Sequence, residues 1–465
     1  MNQHKDKPQF RIEQDSMGEV KVPLNALYQA QTQRAIDNFH LSQYTMPTAF
    51  IIALALIKQT AATTNAQLGL IDNDIADAIH DAAQLIIDGK HLDQFPIDLF
   101  QTGSGTSSNM NANEVIATLA SKTLAKDVKP NDHVNMGQSS NDVIPSAIQI
   151  SVTMTVKSQL IPALTHLAET LAAKRAEIGN VVKTGRTHLM DAMPVTLNQE
   201  LSAWQFQIEQ AQAGIEQTLN LVKALAQGGT AVGTGINADS RFAAKFAKNL
   251  SDVTQINFTS SDNFFYNLSC QDAIVALSGQ LKTAAVALMK ISNDLRWMNS
   301  GPLAGLGEIE LQSLQPGSSI MPGKVNPVIP EAAAMAAAQV IGNDTTITVA
   351  GQSGNFQLNV MLPIIAHNIL ESIELIANSA TALADKAIKT FTVRQNNLDI
   401  ALAKNPILVT ALNPVIGYLK AAEIAKKAYQ EGVAIIDIAE RETDLDRETL
   451  ERLLNPAKLT KGGLD

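Results

Sequence analysis

Two long stretches with helical spacing constrain the fold of this chain more than any other feature. Residues 195–226 carry apolar side chains at intervals of three and four for about 30 residues and then meet a Gly-Gly pair, and residues 271–299 repeat the pattern. Residues 142–178 and 358–388 also predict long helices, with prolines 145, 162 and 363 at their starts or kinks. Helices of this length, rich in Ala and Leu, are unusual in an isolated domain. The sequence therefore predicts a mainly α protein with a long central helix bundle and apolar faces left for other subunits.

The remaining pattern predicts how the chain is organised around that bundle. Residues 20–28 favour a short edge strand, and little else favours strands. Shifts in composition predict three domains. Residues 1–138 form a mixed, mostly helical domain, residues 139–356 the central long-helix bundle, and residues 357–465 a small helical domain with a charged tail.

The charge balance excludes several classes of partner. The formal net charge is −10 and no basic block interrupts the chain, which argues against nucleic acid and against an anionic membrane surface. The polar N-terminus, residues 1–15, lacks the apolar core of a signal peptide. The longest strongly apolar run, residues 50–57, is too short for a bilayer span of about 20 residues. We expect a cytoplasmic protein without nucleic-acid or membrane partners.

The cysteine count bounds the cofactor chemistry. Cys270 is the single cysteine of the sequence. One thiol cannot form an intramolecular disulfide, a cysteine-based zinc site or an iron–sulfur cluster. We therefore interpret Cys270 as a small core residue.

Four stretches dense in small polar residues interrupt the helical pattern, at 102–114, 130–142, 184–194 and 317–327. The first contains GSG but lacks the third glycine and the strand–turn–helix context of a dinucleotide fingerprint. It is either a turn that binds a carboxylate or a loop followed by a helix cap. In the second, QSSND either caps the following helix or uses that helix N-terminus to bind an anion.

The third and fourth stretches carry the candidate acid–base and charged groups. His188 lies between an Arg-Thr pair and a proline-containing turn, a setting that suits a general acid or base. In GSSIMPGKVNP, Gly317 and Gly323 permit backbone geometry that lets several N–H groups converge on one oxyanion. Lys324 adds a cation and Asn326 a neutral donor, so this stretch predicts an anion-binding loop before a helix.

Three of these stretches carry a resemblance to a known family. GSSIMPGKVNP resembles the signature loop of the fumarase/aspartase superfamily, and GSGTSSNMNANE and TGRTHLMD resemble its other two blocks. Their order and spacing match, and the similarity covers nearly the whole chain. QSSND, with Ser140, and MPGKVNP, with Gly323, are similar to the class II fumarate hydratases in particular.

The resemblance implies a reaction, the reversible anti elimination of water from (S)-malate to give fumarate, a step of the tricarboxylic acid cycle. Ser318 would abstract the C3 proton, and Lys324 and Asn326 would stabilise the resulting aci-carboxylate. His188, directly or through water, would serve the departing hydroxyl. Glu331 of another subunit would orient and polarise His188.

The resemblance also implies the substrate-binding groups and the assembly. The carboxylates would be bound by hydroxyl and amide side chains beside Lys324 and Asn326, namely Ser104, Thr106, Ser139, Ser140, Asn141, Thr187 and Ser319. The expected enzyme is a homotetramer whose active sites each combine residues of three subunits, and it needs no metal and no organic cofactor.

A second, peripheral anion site is implied at the KPND segment. Lys129, Asn131 and Asp132 occupy its positions. Family members commonly have His where this chain has Lys129, so a cation is retained while the residue type differs.

Two other functions compete with hydration. Aspartate ammonia-lyase is suggested by TSSNMNANEVIA and PVIPEAAA, whereas Ser140 and Gly323 favour the hydratase. A non-enzymatic relative, like the lens crystallins of the superfamily, is the third hypothesis. The joint presence of the acid–base and charged residues argues against it: Ser318, His188, Lys324 and Glu331.

Overall fold

The computed structural model describes residues 9–463, so the first eight residues of the polar N-terminal stretch and the last two of the charged tail lie outside the described residues. The chain is mainly α, with 63 % of it helical. In chain order the α-helices are α1 Ala30–Asn38, α2 Thr48–Gln67, α3 Asn73–Ile87, α4 Thr106–Leu124, α5 Ser140–Thr155, α6 Ile161–Ile178, α7 Leu197–Val222, α8 Phe242–Thr254, α9 Phe264–Ser269, α10 Asp272–Met298, α11 Val328–Gly351, α12 Leu362–Leu383, α13 Gln395–Lys404, α14 Asn413–Ile416, α15 Tyr418–Glu431, α16 Ile435–Glu442, α17 Arg447–Leu453 and α18 Pro456–Leu459.

Short elements complete the chain. The π-helical turns are Pro130–Val134, Val156–Leu160 and Ala384–Ile388, and the 3₁₀ turns are Leu92–Gln94 and Pro406–Leu412. The strands pair two by two as β1 Phe10–Asp15 with β2 Gly18–Pro23, β3 Val182–Thr187 with β4 Met190–Thr196, β5 Ala224–Leu225 with β6 Thr259–Ser260, β7 Ile309–Glu310 with β10 Thr392–Val393, and β8 Gly354–Asn355 with β9 Leu358–Asn359. The predicted strand at 20–28 corresponds to β2, which ends at Pro23.

The long-helix predictions are confirmed. Helices α7 and α10 span 26 and 27 residues. The stretch 358–388 forms α12 and the π-turn Ala384–Ile388, and 142–178 forms α5, the π-turn Val156–Leu160 and α6. Pro162 explains that turn: proline has no N–H to donate, and the adjacent Ile161 N–H instead reaches back five residues to the Val156 carbonyl.

By their internal contacts the described residues divide into two compact units. Unit 1 comprises the described part of Met1–Pro162 together with Ala213–Ala285 and Ala338–Ala377. Unit 2 comprises Ala163–Gln212, Val286–Ala337 and the described part of Asn378–Asp465. The division into three domains stays a prediction.

Helix α2 is the centre of unit 1. It packs against α3, α4, α5 and α8 and buries side chains around its whole circumference, among them Phe50, Leu54 and Ile57. An apolar helix of this kind belongs in a core because every face has a neighbour. Among residues 9–463, helices α2 and α10 are long and apolar enough to cross a membrane by length and composition alone, and 78 % and 50 % of their apolar windows are buried within the protein.

Unit 2 contains the β3–β4 hairpin, the loop at 317–327 and a small C-terminal core. In that core, apolar residues of the turn Pro406–Leu412 and of α15, α16 and α17 pack together, including Leu412, Ile424, Ile438 and Leu450. This cluster gives the last helices of the chain a core of their own.

Candidate active site

Two helix N-termini of unit 1 meet at a cluster of hydroxyl groups. Thr106 is the first residue of α4 and Ser140 the first of α5, and their hydroxyl oxygens lie 2.8 Å apart. The Ser104 hydroxyl lies 2.8 Å from that of Thr106. Because the first N–H groups of a helix have no intrahelical acceptor, the two helix starts together favour an anion.

The start of α5 is fixed by a capping box. The Ser139 hydroxyl accepts the Asn141 N–H at 3.2 Å, and the Ser139 N–H donates to Asp142 Oδ1 at 2.9 Å. The other Asp142 oxygen accepts the N–H groups of Gly228 at 3.0 Å and Thr230 at 2.9 Å. Burial nevertheless raises the pKa of Asp142 above its ordinary value.

The capped turn borders a cleft of about 360 Å³. Its lining includes Thr106, Asn109, Asn135, Gln138, Ser139 and Ser140. The Asn141 side-chain amide donates at 2.8 Å to the carbonyl of Ala231, a residue that also lines the cleft. Hydroxyls, amides and a helix N-terminus around one small space provide donors for a carboxylate.

The predicted histidine lies at the tip of a hairpin in unit 2. Strands β3 and β4 pair Thr187 with Met190, so His188 and Leu189 form a two-residue turn. Both have positive φ, 56° and 61°, a conformation that usually favours glycine or asparagine. Thr187 and His188 are exposed there. The turn therefore presents the His188 imidazole to solvent at the cost of backbone strain.

A buried ion network supports the base of this hairpin. Lys183 and Glu308 are each 3 % exposed, and their charged atoms lie 2.6 Å apart. Arg186, beside Thr187, bonds the other Glu308 oxygen at 2.6 Å, and Lys183 also bonds Glu200 at 2.8 Å. The Glu308 carboxylate thus bonds two cations, Lys183 and Arg186, on strand β3, which leads to His188.

The stretch 317–327 folds back on itself as a compact loop. The Gly317 N–H donates to the Lys324 carbonyl at 2.9 Å, and the Asn326 amide donates to the Gly317 carbonyl at 2.8 Å. A Cβ on Gly317 would lie 2.3 Å from the Lys324 oxygen, and Gly323 has φ +82°. Gly317 thus permits the close approach of the two loop ends and Gly323 the positive φ, and convergence of N–H groups on an oxyanion stays a prediction.

Within the loop, the Ser318 hydroxyl bonds to the backbone of the following turn. Its hydroxyl oxygen accepts the N–H groups of Ile320 at 3.3 Å and Met321 at 3.0 Å. Donors aimed at that oxygen favour its negatively charged form, which is what a serine base requires. Ser319 and Lys324 are exposed, and Glu331 lies half-buried in the first turn of α11.

The structure thus groups the predicted residues into three sets. Ser104, Thr106 and Ser140 share one hydroxyl cluster, beside Ser139 and Asn141. Thr187 and His188 share the hairpin tip, and Ser318, Ser319, Lys324 and Asn326 share the loop. His188 lies at the hairpin tip and Glu331 in the first turn of α11, and the predicted contact joins His188 to Glu331 of another subunit.

The predicted second anion site lies at the turn Pro130–Val134. Asn131 and Asp132 are exposed on this turn, and the Lys129 ammonium, also exposed, pairs with Asp127. The Lys129 N–H donates to His133 Nδ1 at 2.9 Å. The pairing with Asp127 raises the pKa of Lys129 and partly neutralises its charge. Anion binding at this turn stays a prediction.

Sequence reasoning missed the groups that lie behind these sets. Lys58 is fully buried in α2 and bonds two residues of the cleft, and Glu308 holds the hairpin. A lysine inside the apolar run FIIALALIK was a usable signal, because a charge in a core helix needs a reason. The Glu308 network had no such signal, since its members lie far apart in sequence.

Comparison with known proteins agrees with this architecture. Residues 18–342 match a family described as lyases, and residues 408–461 match the fumarase C C-terminus. The chain is 62 % identical to class II fumarate hydratase 2 of Pseudomonas aeruginosa, over 98 % of this chain and 99 % of that protein. It is 58 % identical to the class II fumarate hydratase of Xylella fastidiosa, over 98 % and 96 %.

A solved structure shows the same fold. The recombinant class II fumarase of Schistosoma mansoni superposes with a TM-score of 0.95 at 38 % identity, covering 97 % of this chain and 99 % of that one. The family match and the shared long-helix fold define a lyase of the fumarase/aspartase superfamily. Within it, the chain belongs to the class II fumarate hydratase family.

Proposed function

We propose that this protein is a hydro-lyase that interconverts fumarate and (S)-malate. In hydration, water supplies a hydroxyl to one alkene carbon and a proton to the other, so atoms balance without a redox partner. The observation that carries the proposal is the match over 98 % of the chain to class II fumarate hydratases, with Ser318, His188, Lys324 and Glu331 all present.

In the malate-to-fumarate direction, Ser318 removes the C3 proton. That proton is weakly acidic, so the base needs an environment that favours its alkoxide. The two backbone N–H groups that donate to the Ser318 oxygen support this role. Lys324 and Asn326 stabilise the aci-carboxylate that forms, and Asn326 keeps a second amide hydrogen beyond the one bonded to Gly317.

The departing hydroxyl is protonated by His188, directly or through a water. Glu331 of another subunit orients the imidazole. The exposed hairpin tip supports this arrangement, because it leaves the His188 ring accessible to a partner subunit. The substrate carboxylates are held by the hydroxyl and amide groups of Thr187, Ser319, Ser104, Thr106, Ser139, Ser140 and Asn141.

A homotetramer with active sites shared by three subunits fits the exposed apolar side chains of the long helices. Phe206 on α7, Val286 on α10 and Met335 on α11 are 61 %, 51 % and 70 % exposed. Large apolar side chains in such numbers mark association surfaces. We place the enzyme in the cytoplasm and in the tricarboxylic acid cycle.

The test is an absorbance assay of fumarate consumption by the purified protein, with product analysis. Hydration predicts malate formation without ammonium and in the presence of a metal chelator. The competing ammonia-lyase activity predicts fumarate loss that depends on ammonium and yields aspartate. Fumarate that stays unchanged under both conditions would refute the proposed function and favour a non-enzymatic relative.

A further inference from the structure

A fully buried lysine lies directly behind the hydroxyl cleft. Lys58 on α2 is 0 % exposed. Its ammonium donates to Asn135 Oδ1 at 2.9 Å and to Gln138 Oε1 at 3.0 Å. Both acceptors belong to residues that line the cleft. Lysine is almost never fully buried unless its charge has partners, because desolvation of an ammonium is costly.

The acceptor on Asn135 is the centre of a converging set of donors. Besides Lys58, the amides of Asn109 and Asn113 donate to the same Oδ1 at 3.3 and 3.2 Å. The Asn135 amide in turn donates to the Gln138 carbonyl at 3.1 Å. The segment 135–138 is therefore fixed from behind just before it enters the cap at Ser139.

Stability alone does not require an amine at this position. Buried ion pairs and polar groups are often replaced by apolar side chains of similar size with no loss of stability. On the same helix Leu54, Ile57 and Ala61 are buried and apolar, and the adjacent Gln59 and Thr60 are buried, polar and uncharged. We therefore attribute the amine at position 58 to the cleft, which its two acceptors, Asn135 and Gln138, line.

Nearby negative charge affects the protonation of the Lys58 amine. Helices α3, α4, α5 and α8 and the turn Pro130–Val134 pack against α2. Of the charged groups on these elements, Asp142 is the one that acts on Lys58. Burial lowers the pKa of Lys58 to about 7, and Asp142 opposes that shift. A dianion in the cleft would favour the protonated amine further.

We propose that Lys58 is a positioning residue of the dicarboxylate site. It fixes Asn135 and Gln138 behind the Ser139–Ser140 turn and adds a buried positive charge to the cleft. This inference rests on the proposed function, and the experiment distinguishes the two. An inactive wild-type protein would refute the proposed function. An active wild type together with a Lys58 variant of unchanged kinetics would refute only the role of Lys58.

The test compares Lys58→Met with Lys174→Met in the full-length protein. Lys174 is the matched control, since it is 3 % exposed and donates to the Phe391 carbonyl and to Glu177. Because binding groups act on ground and transition state alike, Lys58→Met should raise KM for fumarate about tenfold, with kcat changed by less than about threefold. The Lys174 variant should keep both constants.

Inhibition by succinate, a saturated dicarboxylate that cannot react, provides a readout that a structural role would not change. In the wild type the inhibition constant should rise between about pH 6 and about pH 8 as Lys58 loses its proton, and in Lys58→Met this rise should be smaller. If Lys58→Met does not fold, Gln138→Met removes one acceptor and should raise KM in the same way. Unchanged KM and unchanged succinate inhibition in the folded variant would overturn the inference.

Discussion

The hydroxyl oxygens of Thr106 and Ser140 lie 2.8 Å apart although 33 residues separate them in the chain. Each residue is the first of its helix, so the contact joins two helix N-termini at one point. The positive ends of both helix dipoles therefore lie at this contact, while side chains already accept the N–H groups of Ser107, Ser108 and Asn141. From the sequence each helix start could be either a cap or an anion-binding turn, and their meeting at one point favours the anion-binding interpretation.

Removal of one hydroxyl from this contact should weaken substrate binding. Thr106→Val should raise KM for fumarate about tenfold, since a hydrogen bond to a charged group is lost. Thr123→Val is the control, because Thr123 lies near the exposed end of the same helix and bonds only the local Leu119 carbonyl. Steady-state kinetics with both variants check the prediction, and equal KM values for the two would contradict it.

The loop serine should affect the chemical step and leave binding largely unchanged. Ser318→Ala is expected to lower kcat by about 10²–10⁴-fold with little change in KM, as for the loss of a positioned base. Ser313→Ala, an exposed serine just before the loop, should have normal kinetics. Full activity of Ser318→Ala would remove this residue from the base role.

The carboxylate beneath the hairpin should matter for stability as well as for rate. Glu308→Ala removes the closest partner of buried Lys183 and leaves it Glu200, which should cost about 1–3 kcal/mol of the free energy of unfolding. Activity should also fall, because Arg186 beside Thr187 loses its anchor. Glu310→Ala is the control: its bond to Arg394 is largely exposed and is worth about 0–1 kcal/mol. Denaturant unfolding that does not distinguish the two would contradict this reading.

The buried lysine predicts a pH dependence of stability with a definite sign. The pKa of Lys58 is about 7 in the folded protein against an ordinary value of 10.5. Between these values the unfolded chain binds a proton that the folded chain lacks, so this residue makes stability rise with pH from about 7 to about 10.5. Denaturant midpoints should show that rise in the wild type and lose this component in Lys58→Met. Parallel curves for the two proteins would argue against it.

Features of this structure that depend on residues close together in the sequence were predicted, and those that depend on residues far apart in the sequence were not. The long helices α7 and α10 follow from local periodicity, and the loop at 317–327 from its glycines, so both were predicted with their residues. The support given by Glu308 to Arg186, and by Lys58 to Asn135, depends on contacts between residues distant in the chain. Local patterns carry no information on such pairs, which appear only once the fold has brought them together.

Enzymatic hydration of fumarate can be followed by incubating the wild-type protein with fumarate in D₂O without ammonium. We expect malate with a single deuterium at C3, present as one diastereomer, the product of anti addition, as observed by proton NMR. A mixture of diastereomers, or no malate at all, would contradict it.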